Sequence, residues 1–250
     1  MFFGFDLKEI FMFPIKDQEA RRHFLIGCLV SLAAFVIPVL PYLVLFGYAV
    51  RIAKQILNNE SPRMVAWDDW GGMAKDGLKM LGVRMIFSLP ILVLMTPLFI
   101  AAFAFPIIMS TSSSSEIESL LPIFMVLMFG SICILIPVSI PLAVIIPVAE
   151  MSVVEKDDFS AGFRFREWWP IFRANLSGFI AAFGIYYLTA IALTFAAQFL
   201  SITVIFACLL IVFLPSTTIY IALIMYATIA QAYRDGKVKL TQKELTPQTT

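Results

Sequence analysis

Charge is what this sequence withholds. No Asp, Glu, Lys or Arg occurs in residues 24–50, 85–115, 119–149 or 174–233. A charge at the centre of a bilayer costs about 2.5 kcal/mol or more, so runs of this length without one belong in lipid. Overall 14% of residues are charged and 60% hydrophobic, with a mean hydropathy of +0.91. Soluble domains carry about 25% charged residues, and that class is excluded. Histidine occurs once, as His23, which rules out triads and histidine-based metal sites. Cys28, Cys133 and Cys208 are odd in number, lack CxxC spacing and sit inside apolar runs. They read as small apolar core residues, not disulfides or metal ligands. The chain has no P-loop, no dinucleotide glycine fingerprint and no Asp spacing like that of lipid-headgroup transferases. The reading is therefore non-enzymatic, with no catalytic residue, cofactor or metal expected. A net charge of +1, from 18 basic and 17 acidic residues, leaves no basic excess for nucleic acid. Ion-coupled transport is disfavoured too, because such proteins keep ionisable groups at membrane depth and here no acid or base is expected there.

What charge there is concentrates at the ends of the apolar runs. Residues 51–84, RIAKQILNNESPRMVAWDDWGGMAKDGLKMLGVR, hold ten ionisable side chains in 34 residues, the longest stretch outside the apolar runs. It must be water-accessible, and it leaves no room for a separate soluble domain. All Lys and Arg fall in four segments: four in 1–23, six in 51–84, four in 150–173 and four in 234–250. If basic loops stay cytoplasmic, all four share one face and each apolar run goes in and returns. The expectation is an all-α integral membrane protein of the cell membrane, with both termini cytoplasmic. Six membrane-embedded helices form three hairpins, each preceded by an interfacial amphipathic helix. The N-terminus, MFFGFDLKEIFMF, lacks signal-peptide form, so the first run is expected to serve as an uncleaved anchor.

A single membrane domain over 1–250 divides into sections 1–58, 62–149 and 157–236 and a polar, loose tail at 237–250. In the first section Phe3, Leu7, Ile10 and Phe11 share a helical side, as suits a helix on the membrane surface. The run 24–50 has 27 residues, enough for one span and short of two, with Pro38 and Pro41 near its middle. Charge placement favours a short hairpin breaking at Val39-Leu40. The competing arrangement is one continuous span with the N-terminus outside. In the second section 31 charge-free residues flank each side of Glu116 to Glu118, giving two full spans and an outward Ser-rich tip. Seven prolines in its arms suggest bent helices. The third section has 60 charge-free residues, again two spans, with Gly178, Ala182, Ala192 and Ala196 at small-xxx-small spacing. A weak repeat links the sections: GFDLKEIF at Gly4 to Phe11 aligns without gaps with GFRFREWW at Gly162 to Trp169. WDDWGGMAKDGLKML precedes the middle hairpin in the same way and places Trp70, Ala74, Gly77, Leu78 and Leu81 on one helical side.

Trp67, Trp70, Trp168 and Trp169 all fall in the expected surface helices, where indole favours the headgroup boundary. They are candidate interfacial anchors. Arg51, Asp68, Asp69, Asp76, Arg164 and Arg166 are candidate contacts to lipid headgroups or to partners. Paired acids can hold a divalent cation, but Asp68 or Asp69 also sits where a helix needs an N-cap, and Asp157-Asp158 stands likewise before the third surface helix. The partners expected are membrane lipids and other membrane protein subunits.

The segment GYAVRIAKQILNNESPRMVAWDDWGGMAKDGLKML resembles the membrane proteins grouped as domain-of-unknown-function family 4013. The likeness rests on Gly47-Tyr48 followed by Arg51, the acidic pair with Trp70-Gly71, Asp76-Gly77-Leu78-Lys79, and Ala232-Tyr233-Arg234 at the close of the last hairpin. It covers roughly residues 8–236. The resemblance implies a prokaryotic multi-span membrane protein with no established activity, so it carries over no functional residue. The function expected is a non-enzymatic membrane subunit or scaffold, with a permease or channel-like transporter as the alternative. Single cysteines placed at Glu9 and Ser114 should label from opposite sides of the membrane. Labelling from the same side is the outcome that five spans require.

Overall fold

The computed structural model describes residues 4–111, 114–202, 206 and 208–245, without the side chains of 114–119 and 244. Phe2 and Phe3, expected on the N-terminal surface helix, the side chains of Glu116 and Glu118, Thr203 and residues 246–250 lie outside that description. The described residues are mostly helical, with no β-strand among them. The elements are α1 (Leu7–Met12) with a 3-10 turn (Phe13–Ile15), α2 (Gln18–Ala33), α3 (Leu40–Leu57), α4 (Trp70–Thr111) and α5 (Ser114–Lys156). A second 3-10 turn (Phe159–Phe163) leads to α6 (Phe165–Ala174), α7 (Leu176–Ser201) and α8 (Leu210–Leu245). Aspartates begin many of them. The carboxylates of Asp6, Asp17, Asp69 and Asp158 accept from the backbone N–H of Glu9, Ala20, Gly72 and Ser160, taking up amides that the first turn leaves free.

Five helices are long and apolar enough to cross a membrane: α3, α4, α5 from Leu120, α7 and α8 to Lys243. By length and composition this is a membrane protein. α2, at 16 residues and about 24 Å, is shorter than the hydrocarbon core of about 30 Å. The run 24–50 is not one helix. It breaks over 34–39, wider than the two-residue break expected from the prolines, and Val39 takes a φ of 77°, a costly value for a β-branched residue. Pro41 then lies in the first turn of α3, where its missing N–H costs nothing.

Elsewhere helices continue where the sequence suggested joints. The middle surface helix and its span form one helix, the 42 residues of α4, about 63 Å long. Its charges, Lys75, Asp76, Lys79 and Arg84, fall in its first 15 residues. Pro90, Pro97 and Pro106 lie inside α4 without ending it. The tail expected to be loose is helical to Leu245.

The chain separates into two compact units, residues 1–83 with 147–250, and residues 84–146. In the first, α8 is the centre. It packs against α7, α3, α2, α6 and α1, and its residues 223–233 are all buried except Gln231. Ala227, Ala230 and Ala232 make that possible, because small side chains let neighbouring backbones come close. On α7 the small-residue spacing works through Gly178 and Ala182, which are buried, while Ala192 is exposed. The start of α4 buries Met73, Gly77, Met80 and Val83, and leaves Trp70 and Leu78 on an open side. The second unit is different in kind. The most apolar window of α4 is 6% buried, against 56% for α3. Cys133 and Cys208 are exposed, not core residues as expected, and Cys28 is half-buried.

α3 and the start of α4 touch backbone to backbone at two reciprocal points. A methyl added at Gly47 would lie 1.7 Å from the carbonyl oxygen of Met73, and one added at Gly77 would lie 1.8 Å from that of Leu43. Neither backbone can give way locally. Gly47→Ala and Gly77→Ala should each destabilise the protein by about 2–3 kcal/mol, read as thermal unfolding in detergent. Gly130→Ala and Gly184→Ala, where a methyl meets nothing within 4 Å, should be near neutral. Equal effects at all four positions would contradict the close crossing.

Candidate functional site

The residues with chemistry collect where α3 ends, α4 and α6 begin, and α5 and α8 close. Tyr48 on α3 starts the arrangement. Its buried hydroxyl donates to the Val65 carbonyl and accepts from the Val65 N–H, both at 2.9 Å, so one side chain fastens the segment 58–69 along α3. Its ring stacks on Trp67 at 4.0 Å, and the Trp67 indole N–H donates to the His23 carbonyl at 2.9 Å, joining α2. Gln55, a turn or two further along α3, accepts from the Arg63 N–H at 3.0 Å. Arg51 pairs with Asp69, the cap of α4. The Arg51 guanidinium and the Gly72 amide hold the Asp69 carboxyl below the usual range.

Next to this lies a four-membered ion-pair ring. Lys54 stands 3.9 Å from Asp76 and 3.5 Å from Asp157, and Lys79 stands 3.9 Å from Asp76 and 2.6 Å from Asp157. Each base serves both acids. Asp157 has a φ of 53°, a left-handed value that Asp tolerates, at the end of α5. A carboxylate at a helix C-terminus opposes the helix dipole, and the two lysines offset that. Lys79 also donates to the Asp157 carbonyl at 3.1 Å. The Lys79 ammonium lowers the Asp157 carboxyl's affinity for protons.

Beyond the ring, Glu155 receives the Tyr233 hydroxyl at 3.1 Å and Lys237. Asn175, at the joint of α6 and α7, donates to the Ala232 carbonyl at 2.8 Å and accepts from Lys239 at 2.6 Å. Tyr226 donates to Glu150 at 3.0 Å, with both residues fully buried. The Glu150 side chain is buried inside the protein, although it stands at the end of a charge-free run in the sequence.

The expected site residues are thus scattered among separate contacts. Arg51 and Asp69 come together, Asp76 joins the lysine ring, and Arg164 pairs with Asp158 at 2.7 Å. Asp68 and Arg166 are exposed and make no ion pair among the described residues. Trp168 is fully buried and donates to the Gly162 carbonyl at 3.0 Å, and Trp67 is buried as described, whereas Trp70 is exposed and Trp169 half-buried. Of the capping expected of both acidic pairs, Asp69 caps α4, whereas Asp158 caps the 3-10 turn before α6, and α6 itself begins at Arg164 without a side-chain cap. The aligned octapeptides enter their helices alike: Leu7 and Phe165 are the first helical residues, and Ile10 and Trp168, three further on, are buried. Met73 holds the same position in α4.

Two hollows share Gln55 and Val65 in their linings, and the smaller borders the ring. The larger, about 890 Å³, is lined by Lys16, Asp17, Glu19, Gln55, Glu60 and Arg63 among others. A smaller one of about 320 Å³ lies against Arg51, Lys54, Gln55, Val65 and Asp76. Among the described residues no three of His, Cys, Asp or Glu gather as metal ligands would.

A family model described as protein of unknown function (DUF4013) matches residues 30–202. The chain belongs to this family. The DUF4013 match takes in Tyr48, Arg51, the lysine ring and α6, and is narrower than the span 8–236 read from motifs, leaving Ala232-Tyr233-Arg234 outside it. Nothing among curated proteins or solved structures matches this DUF4013 chain.

The sign of the pH dependence of the ring follows from Asp157. Its folded pKa is depressed, so its contribution is complete above about pH 4 and disappears as pH falls through the folded value. A double-mutant cycle of Lys79→Gln and Asp157→Asn should give a coupling of about 0.5–1 kcal/mol at neutral pH and low salt. It should shrink as pH is lowered below about 4. A coupling that persists in acid would contradict the pairing.

Proposed function

We propose that this DUF4013 protein is a non-enzymatic integral membrane subunit that associates with a larger membrane complex through residues 84–146. The observation that carries the reading is the bare condition of that unit. Phe99, Phe103, Ile107, Val126, Phe129 and Ile140 are all exposed there. Meanwhile most of the charged groups at the ends of α3, α5 and α8 are committed to internal partners. A helix pair rich in exposed aromatic side chains has large surfaces for docking against other spans. In this reading the cell membrane houses six membrane-embedded helices as three hairpins, with α2 and α3 as the short one. The basic segments and both termini lie on the cytoplasmic side. The interfacial helices repeat before each hairpin, as the shared register of Ile10, Met73 and Trp168 supports.

One observation favours a permease or channel-like transporter instead: α2 is too short to cross alone and meets α3 at the strained Val39. Part-crossing helices suit solute sites, because their ends aim backbone dipoles into the membrane.

With the C-terminal tail tagged and the protein extracted in mild detergent, mass spectrometry should identify a stoichiometric membrane partner. Replacing Phe99, Phe103 and Phe129 together with Ala should lower its recovery roughly tenfold at unchanged melting temperature. A lone protein or a homo-oligomer would defeat the subunit reading. Solute flux in liposomes that is abolished by Pro38→Leu with Pro41→Leu would establish the transporter.

A further inference from the structure

α6 has ten residues and two unlike sides. Trp168, Ile171 and Phe172 are buried, and the helix packs on α8. The other side exposes Phe165, Arg166 and Arg173, with Trp169 half-buried and its ring stacked on Phe165 at 4.7 Å. The acids nearby are already matched. Glu167 takes Lys156, and Asp158 takes Arg164 at 2.7 Å. Arg166 and Arg173 make no ion pair among the described residues, so two positive charges are left over on this face. They are seven residues apart, two turns or about 10.5 Å along one side of the helix.

Position favours a membrane boundary. Arg173 lies three residues before α7, a charge-free span of 26 residues. The chain turns at Asn175, where φ is −130° and ψ 40°, so α6 does not continue into the span. Lys239 and the Ala232 carbonyl hold that joint. Leu176, the first residue of α7, is exposed beside it. Tryptophan settles at the membrane–water boundary, and a phenylalanine beside it can reach the upper acyl chains. A guanidinium presents parallel donors that fit two phosphate oxygens, and it is weakly hydrated enough to give up water there.

We propose that the outer face of α6 binds the phosphate of anionic phospholipid headgroups through Arg166 and Arg173, with Phe165 and Trp169 seated among the upper acyl chains. The site holds α6 against the bilayer whether or not the chain is a subunit of something larger.

The test uses the full chain in phosphatidylcholine vesicles and spin-labelled probe lipids. Electron spin resonance then compares the motionally restricted fraction of phosphatidylglycerol with that of phosphatidylcholine. The wild type should prefer phosphatidylglycerol, and Arg166→Gln with Arg173→Gln should reduce the preference by about fivefold per arginine at low salt. No preference in the wild type, or the same preference in the double variant, would overturn the proposal. Both side chains are exposed, so the variant should melt as the wild type does. If it does not, a photocrosslinker replacing Phe165 in the otherwise natural chain decides the matter. A phospholipid adduct upholds the site, and a polypeptide adduct overturns it.

Discussion

The burial of α8 on every side between residues 223 and 233 is the constraint that shapes the unit around it. A helix with no open face must offer each neighbour a surface it can approach. Ala227, Ala230 and Ala232 do so by being small, while Tyr226 and Tyr233 supply bulk, with hydroxyls that need partners. Those partners are the acids of α5, Glu150 and Glu155. The end of α5 is therefore placed by α8, and Asp157, which follows it, is placed with it. The lysine ring on α3 and α4 depends on that position. Packing at the centre thus sets the electrostatics at the rim.

At the rim, carboxylates carry more than one duty. Asp69 caps α4 and pairs with Arg51, and Asp158 caps a 3-10 turn and pairs with Arg164. Ion pairs this exposed contribute little each, about 0–1 kcal/mol. Their value is positional. A cap fixes where a helix begins, and a base on another element fixes which way that beginning faces. Tyr48 does the same for a segment without regular structure, by meeting both polar groups of Val65.

Much of this was legible in the sequence, and what was not has physical reasons. Runs without charge revealed the spans because lipid tolerates nothing else. The break before α3 was legible from Pro38 and Pro41, although its start at Ala34 was not. Aspartate caps were legible because few residues satisfy free amides so well. The continuity of α4 was hidden, since a helix passing from water into lipid changes its side chains and not its backbone. Likewise the helical tail depends on Glu155 and Asn175, which Lys237 and Lys239 meet from 82 and 64 residues away. No local pattern reports such partners. Tryptophan misleads for a related reason: both headgroup boundaries and protein cores accept it, and Trp168 found a carbonyl inside. The burial of Glu150 was hidden because its partner, Tyr226, lies 76 residues away.

The central position of α8 also sets a timetable. α8 follows in the chain every helix it packs against, and Gln231 closes on the Gly4 carbonyl across 227 residues. Helices are made in chain order, so α1, α2, α3, α6 and α7 are all synthesised before the helix they pack on. Packing of this unit around its centre is thus completed late, after every surface that meets α8 has been made.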